Sequence, residues 1–291
     1  MACPEDPKSN RLLAALTDAD WQHWRRHLES VDLRVGQALY EPGRQQLYAY
    51  FPTSGIVSLL YLMGSGASSE VAVVGNEGIV GTSLFLGGGT TTSHGSVLIA
   101  GQGFRIGAQM IRDEFERSDS VRLLLLRYTQ ALTTQIAQTA ACNRHHAIDQ
   151  QVCGWLLHSL DRVRDCEVVV TQQLIASMLG VRRESVTEAV GRLQAAELIH
   201  CARGRISVLD RTGIERRSCE CHAVVKKEYD RLLPQEPAAH PASAAWRAGM
   251  TQPPFTSPRG TKSQPRAKTD RSIQRAGARA GPLSVDSVSA Q

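Results

Sequence analysis

Residues 170–199 read VTQQLIASMLGVRRESVTEAVGRLQAAELI. Thr171 is a natural N-cap, and Leu174, Ile175 and Leu179 fall on one face of the short helix that it starts. Gly180 supplies a turn. A second helix, from about Arg182 to Leu198, carries Val186, Val190 and Leu193 at helical spacing, so that face is core. Its first turn is polar: Arg182, Arg183, Glu184 and Ser185, followed by Thr187 and Glu188. Two helices joined in this way make a helix-turn-helix. Residues 199–211, IHCARGRISVLDR, then predict two short strands around a turn at Ala202 to Arg205, a wing with Arg203 and Arg205 at a basic tip.

These residues suit duplex DNA. An α-helix fits the major groove, a guanidinium fork matches guanine O6 and N7, and a carboxylate can accept from cytosine N4. The expected DNA-facing set is Thr171, Gln172, Arg182, Arg183, Glu184, Ser185, Thr187, Glu188, Arg203 and Arg205. An ordinary helical hairpin with a solvated end would also show charge here, but it would not be followed in order by a turn, a polar N-terminal face and a wing.

Overall charge does not carry that inference. The chain is formally +5, yet residues 234–291 hold eight Lys or Arg against three acids, which leaves residues 1–233 with 25 of each sign. DNA binding by the body of the chain therefore rests on local placement of charge. The 291 residues allow two domains. No apolar run approaches a membrane span, and MACPEDPKSN lacks the layout of a signal peptide, so a cytoplasmic protein without a membrane partner is expected. Seven scattered cysteines without a CxxC pair argue against a disulfide scaffold.

Residues 11–30 read as short amphipathic helices with a break at Thr17-Asp18. From Val31 to about Arg112, short β-rich runs separated by Gly, Pro and Ser argue for an all-β sandwich or roll. The stretch from Met110 to about Ala141 has no Pro or Gly and reads as one helix. On it Val121, Leu125, Tyr128, Leu132, Ile136 and Thr139 recur at three- or four-residue steps. That stripe suits a partner helix in a homodimer, with packing on its own β-roll as the other use. A further helix spans about His145 to Val163. Beyond Leu233 few periodic apolar residues remain, and a disordered basic tail is expected over 234–291.

The predicted fold class is thus α+β: an N-terminal antiparallel β-roll, jelly-roll-like, at 11–118, a long dimerisation helix at 119–142 and a C-terminal winged helix-turn-helix at 143–233. In this order the parts resemble the Crp/Fnr superfamily of bacterial transcription regulators, the most specific pieces being residues 170–199, RVGQALYEPG (34–43) and VGNEGIVGTSLFLGG (74–88). The resemblance implies an effector-sensing roll, a homodimer through the long helix and an inverted-repeat operator in double-stranded DNA, with RNA polymerase as a further candidate partner. It also implies base reading by Arg183 and Glu184. The family motif often has an arginine where this chain has Glu188.

The effector region departs from the cyclic-nucleotide members, which hold the phosphate with a Glu after a Gly and with an Arg-Ser or Arg-Thr pair. Here Gly81 is followed by Thr82-Ser83, and GGGTTTSHGSV (87–97) contains no arginine. An effector pocket of Gly81, Thr82, Ser83, Thr92, Ser93 and His94 is therefore expected not to take cyclic nucleotides, because the phosphate lacks its bidentate partner. Only Cys3 lies near the N-terminus, which argues against an Fnr-type iron-sulfur cluster. Cys219-x-Cys221-His222 is too tightly spaced for a usual zinc pair, so no metal and no cofactor is expected and the effector is unknown. A haem held by one axial histidine would leave no motif. Two competing functions are a ligand-sensing module acting through protein contacts and a cupin-like metal enzyme. The second fits poorly, because residues 31–112 contain only His94 among histidines.

Overall fold

The computed structural model describes residues 6–163, 167–202 and 204–233. Helices α1 (Arg11–Ala14) and α2 (Asp18–Trp24) come first, and Thr17 caps α2 by accepting from the Asp20 amide at 3.2 Å. Strands β1 (Glu29–Leu33), β2 (Ala38–Tyr40), β3 (Tyr48–Pro52), β4 (Ile56–Leu62), β5 (Ser68–Val74), β6 (His94–Ile99) and β7 (Gly101–Gly107) form two antiparallel sheets, ordered β1-β7-β3 and β2-β6-β4-β5. This is the expected roll.

Next come α3 (Ala108–Arg117), α4 (Asp119–His145) and α5 (Ile148–Leu160). The single helix expected from Met110 to Ala141 is in fact two. Ser118 between them is extended (φ −112°, ψ 115°); its hydroxyl donates to Asp20 Oδ1 at 3.0 Å and accepts from the Val121 amide at 3.4 Å. A serine offering the backbone a local cap breaks a helix without help from Pro or Gly.

The stripe on α4 also has a different use. Val121, Leu125, Tyr128 and Leu132 are buried inside this chain, against Trp24, Phe51, Ile79 and Ile111 of the roll core, and of the apolar stripe only Ile136 remains exposed. The Tyr128 hydroxyl donates to the Ile79 carbonyl at 3.0 Å, and the ring lies where a Cβ on Gly78 would sit. These four residues hold α4 to its own roll and are not free for a partner helix.

The C-terminal part comprises β8 (Glu167–Val169), α6 (Gln172–Leu179), α7 (Arg183–Ala195), β9 (Ile199–Ala202), β10 (Arg205–Val208), α8 (Arg211–Arg217) and α9 (Glu220–Leu232). Helix α9 runs back along α4, with Tyr229 edge-on to Tyr128 (centroids 6.3 Å) and Gln130 Nε2 donating to Glu228 Oε1 at 3.1 Å. The tail expected over 234–291 lies outside the described residues.

Strand β4 joins the two cores. Val57 and Leu59 point into the roll core, whereas Ile56 and Leu60 join Val152, Trp155 and Leu156 of α5, Ile175 and Met178 of α6 and Val186 and Val190 of α7. A strand buried on both faces reads as a continuous apolar run, as IVSLL does. Ser58 is the exception in that run. Its hydroxyl donates to the buried Glu70 carboxyl and has Met178 Sδ at 3.5 Å, while Trp155 Nε1 donates to Glu70 Oε1 at 3.0 Å. A β-bulge shifts the β4–β5 register from Leu59 opposite Ala72 to Leu60 opposite Glu70, which turns both Glu70 and Val73 toward the C-terminal domain. A second bridge is the buried ion pair of Glu77 Oε1 with Arg162 Nε at 2.8 Å, beyond the end of α5.

Burial pushes the Glu70 carboxyl up to about 7, against the hydrogen bonds from Ser58 and Trp155 and the charge of Arg162. A carboxyl whose folded value is raised keeps a proton that the unfolded chain gives up. Its stabilising contribution is thus complete below about pH 4.5 and is lost as pH rises through about 7. In Glu70→Gln the acceptor for Trp155 is kept and the titration is gone. Thermal melts from pH 5 to 8 should show the wild-type midpoint falling relative to the variant, by the equivalent of about 3 kcal/mol at most. Parallel curves would show that Glu70 does not titrate in this range.

Candidate DNA interface and effector pocket

Thr171 caps α6, accepting from the Leu174 amide at 3.2 Å, and Gly180 ends it in the left-handed conformation at φ 66°. The chain then re-enters a helix at once. Val186, Ala189, Val190 and Leu193 are buried, which turns the first turn of α7 outward. Arg182, Arg183 and Glu184 are all exposed, and among the described residues no ion partner is found for their side chains. Ser185 is half-buried beside them. Thr187 Oγ1 donates to Gln172 Oε1 at 2.8 Å, with the Arg183 carbonyl at 3.1 Å as the other acceptor, and so ties α7 to α6.

The other charges nearby are engaged. Arg192 forks onto Asp149 of α5 at 2.8 and 2.5 Å and holds that carboxyl below its usual range, and Glu188 lies 3.8 Å from the same guanidinium. In the wing, β10 pairs with β9 and β8, and Gly204 turns at φ 77°. Arg205 Nη1 meets Glu167 Oε1 on β8 at 2.6 Å. Arg203 lies outside the described residues.

A cavity of about 160 Å³ opens between the roll and α4. Its polar lining is Tyr40, Gln46, Tyr61, Thr82, Ser83, Thr91 and Ser93, with Leu59, Val71, Ile79, Gly81, Leu132 and Ile136 completing the wall. No described lining residue is acidic or basic. The hydroxyls form chains: Tyr40 Oη to Ser93 Oγ at 3.1 Å, Ser93 Oγ to Thr91 Oγ1 at 2.9 Å, and Ser83 Oγ donating to Gln46 Oε1 at 2.7 Å. Burial pushes the Tyr40 phenol up, so it stays neutral. Of the six expected pocket residues, Gly81, Thr82, Ser83 and Ser93 line the cavity. Thr92 and His94 do not; Thr91 takes the place of its neighbour, and His94 opens β6 opposite Leu60.

Residues 150–217 match the model of the Crp-like helix-turn-helix domain. The chain carries a Crp-like helix-turn-helix domain. Among solved structures, it is similar to a transcriptional regulator of the Crp/Fnr family from Eubacterium rectale, at 16% identity over 72% of this chain and 98% of the other, with a TM-score of 0.58. It is also similar to FixK2 from Bradyrhizobium japonicum (13%, 66% and 98%, TM-score 0.55) and to CLP, a c-di-GMP responsive global regulator from Xanthomonas campestris (17%, 66% and 99%, TM-score 0.53). The described chain thus has the Crp/Fnr fold. No curated protein matches it by sequence.

Within the Crp-like domain the structure separates residues that the sequence grouped. Arg183 and Glu184 are exposed with no ion partner among the described residues, whereas Arg205 is paired with Glu167. The motif Cys219-x-Cys221-His222 divides too. His222 Nε2 turns to Asp161 Oδ2 at 2.7 Å, and the two cysteines instead face Cys142 of α4 and His146 at its C-cap. That gathering is invisible to local spacing, because 77 residues separate Cys142 from Cys219.

The uncharged cavity carries a prediction for anionic ligands. A phosphodiester entering it would lose water and gain no cationic partner. Isothermal titration calorimetry of the full chain should detect no cyclic AMP or cyclic GMP binding at physiological concentrations, and micromolar affinity for either would contradict the assignment.

Proposed function

We propose that the protein is a homodimeric, sequence-specific DNA-binding transcription regulator whose roll senses an uncharged polar effector. The observation that carries the reading is the exposed Arg182-Arg183-Glu184 turn, unpartnered among the described residues, at the N-terminal end of a buried-backed α7. It is the end of a recognition helix that meets base edges. Arg183 donates two hydrogen bonds to a guanine, Glu184 accepts from a cytosine, and Arg182, Thr171 and the Gln172–Thr187 pair lie along the backbone. The other parts of the reading are an inverted-repeat operator, contact with RNA polymerase and a cytoplasmic setting; among the described residues no helix is long and apolar enough to cross a membrane.

The homodimer rests on the exposed face of α4, which α9 touches only at its edge, where Gln130 reaches Glu228. Leu123, Leu126, Gln130, Thr133, Ala137 and Ala140 are all exposed and follow one another at alternating three- and four-residue steps, the seam of a two-stranded coiled coil. Leu123 and Leu126 are 50% and 44% exposed, unusual for leucines on a helix otherwise packed into a core. The seam lies beside the cavity wall formed by Leu132 and Ile136. An effector there would act on the dimer helix directly.

Two measurements test this reading. Leu126→Glu puts like charges on both sides of the two-fold seam, so sedimentation velocity should find a monomer where the wild type is a dimer; a dimeric variant would mean another interface. Arg183→Ala should cost about 1 to 3 kcal/mol on an operator selected from random duplex DNA and much less on a scrambled duplex at the same salt. Equal losses on both would reassign Arg183 to backbone positioning.

A further inference from the structure

Four side chains with soft metal-ligating atoms meet where α9 begins and α4 ends. Cys142 and His146 are one turn apart on α4 and its cap, and Cys219 and Cys221 stand at the N-cap and second residue of α9. Cys142 Sγ lies 3.6 Å from Cys219 Sγ, Cys221 Sγ lies 3.4 Å from His146 Nδ1, and all four ligand atoms fall within 4.8 Å of one another. A tetrahedral zinc with bonds of roughly 2.3 Å to sulfur sets its ligand atoms roughly 3.8 Å apart, so the spacing is that of one ion's shell. A disulfide would need sulfurs at about 2.05 Å. A cluster of several irons would need its terminal ligands spread over more than one metal, wider than this group.

The surroundings are those of a metal site as well. His146 turns Nδ1 inward while Nε2 reaches Glu220 Oε1 at 3.5 Å, the arrangement in which an outer carboxylate fixes the tautomer and orientation of a ligating imidazole. Gln138 Nε2 donates to Cys221 Sγ at 3.2 Å, a bond that favours a thiolate. Cys219 and Cys221 are buried and Cys142 and His146 half-buried, and all four positions are filled by protein.

We propose that Cys142, His146, Cys219 and Cys221 form a closed Cys3His zinc site that staples α9 to the C-terminal end of α4. Three thiolates and one imidazole in tetrahedral array select zinc among the common divalent ions, and four protein ligands leave no open position for catalysis. The ion is structural. It fixes the last turn of α4, from which the chain passes through Ala147 into α5 and the DNA reader.

The test uses the full chain, purified under reducing conditions with any affinity tag removed. Elemental analysis should find one zinc per chain, and replacement by cobalt(II) should give the ligand-field bands of a tetrahedral ion together with thiolate-to-cobalt charge transfer. Cys221→Ser and His146→Ala should each lower zinc retention against a competing chelator by at least about tenfold, and His145→Ala, at the exposed neighbouring position, should leave it unchanged. The proposal is overturned if the folded wild type holds no stoichiometric metal, if its cobalt form is octahedral, or if a Cys142–Cys219 disulfide is found with no metal after reduction. Where a variant fails to fold, the wild-type metal count and cobalt spectrum decide.

Discussion

The structure depends on one strand being buried from both sides. Val57 and Leu59 of β4 close the roll while Ile56 and Leu60 close the Crp-like domain, so each core takes two side chains from the same short strand. Each such side chain removed from water is worth about 2 kcal/mol, and the two halves therefore stabilise one another through a shared sheet. Ser58, Glu70 and Trp155 then add direction to an interface that apolar packing alone would leave free to slide. Their hydrogen bonds are satisfied in only one register of α5 and α6 against the sheet.

That constraint passes to α4. Since α4 spends Val121, Leu125, Tyr128 and Leu132 on its own roll, and Tyr229 of α9 packs against Tyr128, only the opposite face is left for other uses. One helix thus bounds the roll's cavity with Leu132 and Ile136, receives α9 along its length and ends at the cysteine and histidine cluster. A displacement of α4 by a ligand in the cavity would be felt by all three, because close-packed contacts shift in discrete steps rather than bending smoothly.

Local patterns in the sequence were reliable wherever a residue acts on its near neighbours. The Thr171 cap, the Gly180 turn, the Val186-Val190-Leu193 face and the turn between β9 and β10 stand where the sequence puts them. Long-range assignments fared differently. Periodicity marks which face of α4 is apolar but not what covers it, and the roll covers the stripe first. The exposed face that remains contains Gln130, Thr133 and two alanines beside Leu123 and Leu126, and does not stand out by hydropathy. Ser118 caps α4 locally, but its hydroxyl hydrogen goes to Asp20, 98 residues earlier, and that partner is not legible from the helix itself. The cysteine and histidine group was missed for the same reason: two unremarkable pairs, i to i+4 and i to i+2, become one site only through the antiparallel return of α9.

Charge is where counting misleads most, and the body of the chain shows why. Its 25 basic and 25 acidic residues cancel on paper, and the structure cancels many of them in fact: Arg192 on Asp149, Arg205 on Glu167, Arg211 on Asp161, Arg162 on Glu77. A guanidinium already forked onto a carboxylate must give up that bond before it can meet a phosphate or a base, so it contributes little to recognition. Arg182 and Arg183 have no such debt among the described residues. They sit at a helix N-terminus, where the backbone already favours anions. The acid that follows them, Glu184, is equally free, and a carboxylate facing a polyanion is unfavourable unless a base donor meets it. Non-specific attraction gains nothing from Glu184, and the pairing of free arginines with a free glutamate therefore argues for reading sequence over merely holding backbone.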